Sequence, residues 1–157
     1  MQKIFENQYL SLIVRLVIGF LFILAGLGKA ADPAFFAKEI MNYSIMPVSI
    51  VNVMALAMPW IELVVGILLI AGVRIKANAM ITGGLMLIFI VAVFSAMVRG
   101  LNINCGCFTG KIVLVGWPKI IENTMMFIGC LYIFLFPVQK FSVENINQKN
   151  LEKTSIQ

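Results

Sequence analysis

LSLIVRLVIGFLFILAGLG, residues 10–28, holds about 19 residues with one charge, Arg15. As an α-helix it would be about 28 Å long, enough to cross the hydrocarbon of a bilayer. Three more apolar runs follow at 50–73, 77–98 and 118–136, separated by short polar or basic segments. The chain is 61% hydrophobic and 12% charged over 157 residues, and a soluble domain would carry about twice that charge fraction. These features predict an all-α integral membrane protein, a four-helix bundle occupying residues 1–137. The polar stretch 138–157, rich in Asn, Gln, Lys and Glu, reads as a disordered cytoplasmic tail. A secretory signal peptide would need an unbroken apolar region followed by small neutral residues. Arg15 and Lys29 break those two requirements, so residues 10–28 read as an uncleaved span.

The connections carry their own signals. Asp32-Pro33 has the pattern of a helix start, with Asp32 as N-cap and Pro33 in the first turn. Phe35, Phe36, Ile40 and Tyr43 mixed with Lys38, Glu39 and Asn42 predict a short amphipathic interfacial helix between spans 1 and 2, ended by Pro47. Gly83-Gly84 in the third span offers a place for another helix to approach closely. Trp117-Pro118 opens the fourth span at a membrane boundary.

Four spans put both termini and the Arg74/Lys76 turn on one side. Lysines and arginines in loops set orientation. Six (Lys3, Arg74, Lys76, Lys140, Lys149, Lys153) lie on that side and five (Lys29, Lys38, Arg99, Lys111, Lys119) on the other. The compact Arg74/Lys76 turn weighs most, so the termini are expected in the cytoplasm. The net charge of +5 is spread along the chain; it speaks to topology and gives no reason to expect nucleic-acid binding.

Chemistry concentrates in few residues. There is no His, which removes the commonest metal ligand and acid–base group. Cys105 and Cys107 flank Gly106 in a polar loop expected outside the membrane, where disulfides persist. Glycine allows the backbone angles that a small ring needs, and a strained bridge suits exchange more than stapling. An inert loop bridge and two free thiols are the alternatives. Two sulfurs without His leave half of a zinc shell empty, so no metal site is expected. Cys130, near the middle of span four, reads as a small packed hydrophobe.

Arg15, Glu62 and Glu122 fall inside predicted spans, where charges face a partner or a polar cavity. By helical rise Arg15 lies roughly 9 Å from the inner end of span one, with Glu62 near mid-membrane, and an Arg15–Glu62 ion pair is expected. Glu122 is expected near the depth of Lys29 and Arg99, paired with Arg99 or exchanging a proton beside the cysteine loop. Arg15, Gly19, Phe22, Gly26 and Lys29 share one helix face. Glu62 and Gly66 repeat that pattern on span two, and the two faces are expected to meet.

In chain order, these pieces resemble a known family. They are Arg15-x3-Gly19-x2-Phe22-x2-Ala25-Gly26-x2-Lys29, Asp32-Pro33 with Phe36, Pro59-Trp60-x-Glu62-x3-Gly66, Asn104-Cys105-Gly106-Cys107-Phe108, and Gly116-Trp117 with Glu122-Asn123. Over residues 10–137 they look like the methylamine utilisation protein MauE family, within the DoxX-like superfamily. Thr109 between Phe108 and Gly110, and Glu122 where many members carry Arg, depart from the pattern. The resemblance implies a multi-pass protein of the bacterial inner membrane with a link to periplasmic disulfide chemistry. It further implies maturation of the disulfide-rich small subunit of an amine dehydrogenase, with a thioredoxin-like periplasmic partner, and related proteins are linked to quinone-coupled or thiol-related redox systems. The expectation is therefore a thiol–disulfide relay. Cys105 and Cys107 would exchange with that partner, and electrons would reach a quinone near Arg15, Lys29 and Glu62. The rival expectation is a non-catalytic membrane anchor or assembly subunit with a structural loop bridge. The glycine-lined faces also permit homo- or hetero-oligomers.

Overall fold

In a computed structural model, residues 8–101, 103–105 and 116–137 are described. Cys107 and the 138–157 tail lie outside them. The described elements are α1 (Gln8–Ala31), α2 (Pro33–Asn42), α3 (Val48–Ala71), α4 (Ile75–Val98) and α5 (Trp117–Leu135). All except α2 are long and apolar enough to cross a membrane. The fold is the all-α four-span arrangement that the apolar runs predict, with α1 extended by two residues at its start and three at its end.

Local chemistry sets the boundaries. Asp32 caps α2 as expected, its Oδ1 accepting from the Phe35 N–H at 2.9 Å. The helix stops at Asn42, ahead of Pro47, and Ser44 turns the chain at φ 49°. Pro47 instead starts α3. The α3–α4 connection is tight because Gly72 adopts the left-handed conformation at φ 74°, and the Val73 N–H reaches back to the Leu68 carbonyl at 3.0 Å. The Asn78 amide then donates to the Val73 carbonyl at 2.6 Å and fastens the turn to α4.

The helices form two principal pairs, α1 with α3 and α4 with α5. In lipid the tails are as apolar as leucine, so close packing rather than escape from water holds such pairs together. Glycines provide it on α1 and α3. A Cβ at Gly66 would lie 2.9 Å from the Gly19 carbonyl oxygen, and one at Gly26 would lie 2.9 Å from that of Pro59. The two helices run antiparallel, with Arg15 level with Ile70, Gly19 with Gly66 and Gly26 with Pro59. The expected meeting of the two glycine faces is therefore present.

The expected close approach at Gly83-Gly84 is not. A Cβ at Gly83 would make only ordinary contacts with Cys130 and Phe127, and nothing lies within 4 Å of Gly84. On α5 the tight position is Gly129, where a Cβ would meet Ile18 at 2.9 Å.

The packed core is Ile18, Phe22, Leu69, Ile75, Ala79, Cys130 and Ile133. Most of it sits toward the end that carries the Gly72 turn and the start of α1. There Ser11 donates to the Phe136 carbonyl at 3.4 Å, joining the first helix to the last. The opposite end, which carries α2 and Cys105, is less densely filled.

Candidate functional site: an intramembrane ion pair beneath a buried cysteine

Glu62 pairs with Lys29. The Nζ–Oε1 distance is 2.6 Å and both side chains are buried. The expected Arg15–Glu62 pair does not form, and the reason is geometric. Arg15 stands level with Ile70, eight residues from Glu62, or about 12 Å along α3. Side chains on a helix lean toward its N-terminus. In this antiparallel pair Lys29 and Glu62 therefore lean toward each other, and Arg15 and Glu62 lean apart. Arg15 instead donates to the Ile70 carbonyl at 3.5 Å, near the C-terminus of α3, where a cation complements the helix dipole. It is about 21 Å along α1 from Lys29, too far to share one small ligand with it.

The Lys29 ammonium also lies 5.0 Å from the centre of the Phe36 ring and 5.8 Å from that of Phe89. Two aromatic faces and a carboxylate thus surround one cation. Around this pair is an open-sided pocket with about 560 Å³ of empty space. All four long helices line it: Phe22 and Lys29 from α1, Met58 and Glu62 from α3, Met86 and Phe89 from α4, and Lys119, Glu122 and Asn123 from α5. Glu122 pairs with Lys119 at 2.9 Å, one helical turn away. This replaces the expected Glu122–Arg99 pair, because Arg99 is engaged elsewhere. Two buried polar atoms in the pocket have no hydrogen-bond partner among the described residues, the Glu62 Oε2 acceptor and the Asn123 Nδ2 donor. The contacts between α1 and α5 lie lower down, at Ser11–Phe136 and at Ile18–Gly129. Above them both helices line the pocket.

A second pocket adjoins the first and shares Met58 and Phe89 with it. Its wall includes Phe36, Glu39 and Tyr43 from the α2 segment, Met54 from α3, Ile88 from α4, and Cys105. Cys105 is 1% exposed and disulfide-bonded. The Tyr43 hydroxyl donates to the Cys105 carbonyl at 3.1 Å, and Arg99 Nη1 donates to the Tyr43 carbonyl at 2.7 Å. Burial, with the Glu39 charge adding to it, pushes the Tyr43 phenol up to about 12. It therefore stays a donor at any physiological pH. Cys130 is a buried free thiol on α5, next to Gly83, and lines neither of these two pockets.

Of the residues singled out from sequence, Lys29, Glu62 and Glu122 come together at one pocket, with Cys105 at the next. Arg99 fastens the cysteine segment to the end of α2, and Arg15 stands apart. Sequence reasoning missed Lys119, Asn123, Tyr43 and Glu39 as site residues. Each had a signal: Lys119 is one turn before Glu122, Asn123 follows it, and Phe36, Glu39 and Tyr43 recur at intervals of three and four on one face of α2.

Known proteins bear on this arrangement. Methylamine utilization protein MauE of Paracoccus denitrificans is 28% identical over 115 residues, covering 72% of this chain and 62% of its own length. Protein TlpB of Flavobacterium psychrophilum is 27% identical over 161 residues, covering 96% of this chain and 41% of its own. The chain thus spans less than two thirds of the length of either relative. No solved structure matches. A family model described as methylamine utilisation protein MauE matches residues 7–136, from the start of α1 to the end of α5. This chain belongs to the methylamine utilisation protein MauE family.

Proposed function

We propose that this protein is a membrane component of thiol–disulfide exchange that serves disulfide-dependent maturation of a partner protein. One observation carries the reading. Cys105 lines a pocket that adjoins, across the shared walls of Met58 and Phe89, the intramembrane pocket of Lys29 and Glu62. A bridge that only shaped a loop would need no cavity beside a buried intramembrane ion pair.

In the proposed reaction, a thiolate of a dithiol partner attacks the Cys105–Cys107 disulfide. The S–S bond breaks, a mixed disulfide forms, and one cysteine of the pair leaves. The partner's second thiol then displaces the other cysteine, so two electrons pass to the pair. A thioredoxin-like protein outside the membrane fits this role. Reoxidation of the pair must pass on two electrons and two protons, and a lipid-soluble quinone supplies that chemistry by becoming a hydroquinone. The inner pocket fits such a head group: its wall is largely apolar, and Asn123 Nδ2 and Glu62 Oε2, which have no partner among the described residues, offer a donor and an acceptor. Lys29, Glu62 and Asn123 would hold it, and Arg15 is outside the site.

We place the cysteine end outside the inner membrane. Of the five cations assigned to that side, Lys29 and Lys119 are buried in ion pairs and so weigh little in topology. Arg74 and Lys76 at the other end are both exposed. In a methylamine-using organism, the client of the exchange would be an amine dehydrogenase small subunit.

The rival reading, an assembly protein with a structural bridge, is favoured by the hydrogen bonds of Tyr43 and Arg99 that pin the Cys105 segment. Replacing Cys105 and Cys107 by Ser, and trapping mixed disulfides in cells, separates the two. Exchange requires a trapped partner in the wild type and loss of client maturation in the double variant. Full maturation without either cysteine would leave only the structural role.

A further inference from the structure

Glu39 has no role in the scheme above, yet it occupies an expensive position. It faces inward from α2 while its neighbour Lys38 is exposed. It is 7% exposed, and its Oε2 is buried with no hydrogen-bond partner among the described residues. Desolvating a carboxylate and leaving an oxygen unsatisfied is costly. The carboxyl group lines the same pocket as Cys105, next to the tyrosine that holds the Cys105 carbonyl.

The chemistry at Cys105 supplies a reason. When its S–S bond breaks, Cys105 becomes a thiolate in an apolar cavity, which is a poor place for an anion. A proton must reach that sulfur, and must leave it again when the bond re-forms. We propose that Glu39 is the proton donor and acceptor for Cys105. In the forward direction a dithiol substrate contributes two electrons and two protons. One proton passes through the Glu39 carboxyl to the Cys105 sulfur as the S–S bond breaks, the second goes to the Cys107 sulfur, and the substrate leaves as a disulfide. In reoxidation, with a quinone as the acceptor of both electrons and both protons, the carboxylate takes the same proton back from Cys105. Tyr43 is a positioning residue, holding the Cys105 backbone without exchanging the proton.

This inference rests on the exchange reading, and one experiment tests both separately. The full-length protein in detergent is mixed with dithiothreitol, quenched with a maleimide at intervals, and scored for alkylated cysteines from pH 5.5 to 8.5. The groups around Glu39 that could shape the profile are Tyr43 on its own segment and Lys29 and Glu62 on α1 and α3. Arg99 at the end of α4, Lys119 and Glu122 on α5, and Cys105 itself complete the set. Glu39→Gln is expected to slow reduction about 100-fold, the lower range for loss of a general acid–base group, and to change the shape of the pH profile. Glu39→Asp should restore part of the rate and the wild-type profile shape. Tyr43→Phe should alter the rate without changing that shape. A Glu39→Gln protein reduced at the wild-type rate with an unchanged profile overturns the role of Glu39 alone, as does a Glu39→Asp protein no faster than Glu39→Gln. Failure of dithiothreitol to reduce the wild type at any pH overturns the exchange reading as well.

Discussion

The Lys29–Glu62 pair yields a sharp quantitative expectation. Both side chains are buried, 4% and 7% exposed, and their charged atoms are 2.6 Å apart. Lys29→Met leaves the Glu62 carboxylate without its counter-ion in an apolar pocket, and Glu62→Met leaves the ammonium with only the faces of Phe36 and Phe89. Breaking a buried pair from one side costs about 3–5 kcal/mol. An unfolded chain within a micelle also finds polar partners, which favours the lower end. Two single losses of about 3 kcal/mol each would then total about 6 kcal/mol. The double variant removes both charges and fills the space with methionine, so its loss should be near zero or a small gain. The coupling is therefore about 6 kcal/mol or slightly more. The matching cycle of Arg15→Met with Glu62→Met should be additive within about 0.5 kcal/mol, because the two residues share no contact. Loss of helicity during titration of mixed micelles with sodium dodecyl sulfate measures all six proteins. Additivity at Lys29–Glu62, or a comparable coupling at Arg15–Glu62, would refute the assignment of this pair and the antiparallel register on which it rests.

The glycine contacts give a second comparison: Gly66→Ala should cost about 1–3 kcal/mol, since its Cβ meets the immovable Gly19 carbonyl. Gly84→Ala, with open space around it, should be neutral or mildly stabilising in the same titration, reflecting alanine's better helix propensity. Asn123→Leu removes a buried Nδ2 that has no partner among the described residues, so stability should hold or rise by up to about 1 kcal/mol. Binding of a short-chain quinone, followed by tryptophan fluorescence, should weaken at least tenfold; unchanged binding would move the quinone elsewhere. Tyr43 gives a pH signature whose sign is fixed. Its folded value near 12 lies above the ordinary 10.0, so its contribution is complete below pH 10 and is lost as pH rises toward 12. Melting temperatures of the wild type should fall more steeply across that window than those of Tyr43→Phe, and parallel curves would contradict the buried phenol.

The spans were legible because a membrane imposes length and apolarity so strictly that four runs announce themselves. The α1–α3 contact was legible because Gly19, Gly26 and Gly66 keep helical spacing. The partner of Glu62 was not read correctly, although both candidates stand on the correct face of α1. That choice depends on the register of two antiparallel helices and on the direction in which side chains lean. The Gly83-Gly84 pair misled for a related reason: two small residues permit close approach, but only the neighbouring helix decides whether it happens. Glu39 was hidden by its composition. A glutamate beside a lysine on a short amphipathic helix reads as part of the solvated face, which outweighed its spacing with Phe36 and Tyr43 on the inward face.

The uneven filling of the bundle has a mechanical consequence. Around Leu69, Ile75, Ile18 and Ile133 the side chains pack against one another, with an open groove on the outer α4–α5 side at Ala79, Gly83 and Cys130, so that half behaves as a fixed root. Between Met54, Met58, Ile88 and Phe89 the α3 and α4 walls face open space, so that half is compliant. A load applied at Cys105, such as a partner tethered there for the lifetime of one covalent bond, would be absorbed by flexing about the root. The glycine seam of α1 and α3 would stay closed. Amide exchange should therefore be graded along each helix, slowest near the Gly72 turn and fastest toward α2.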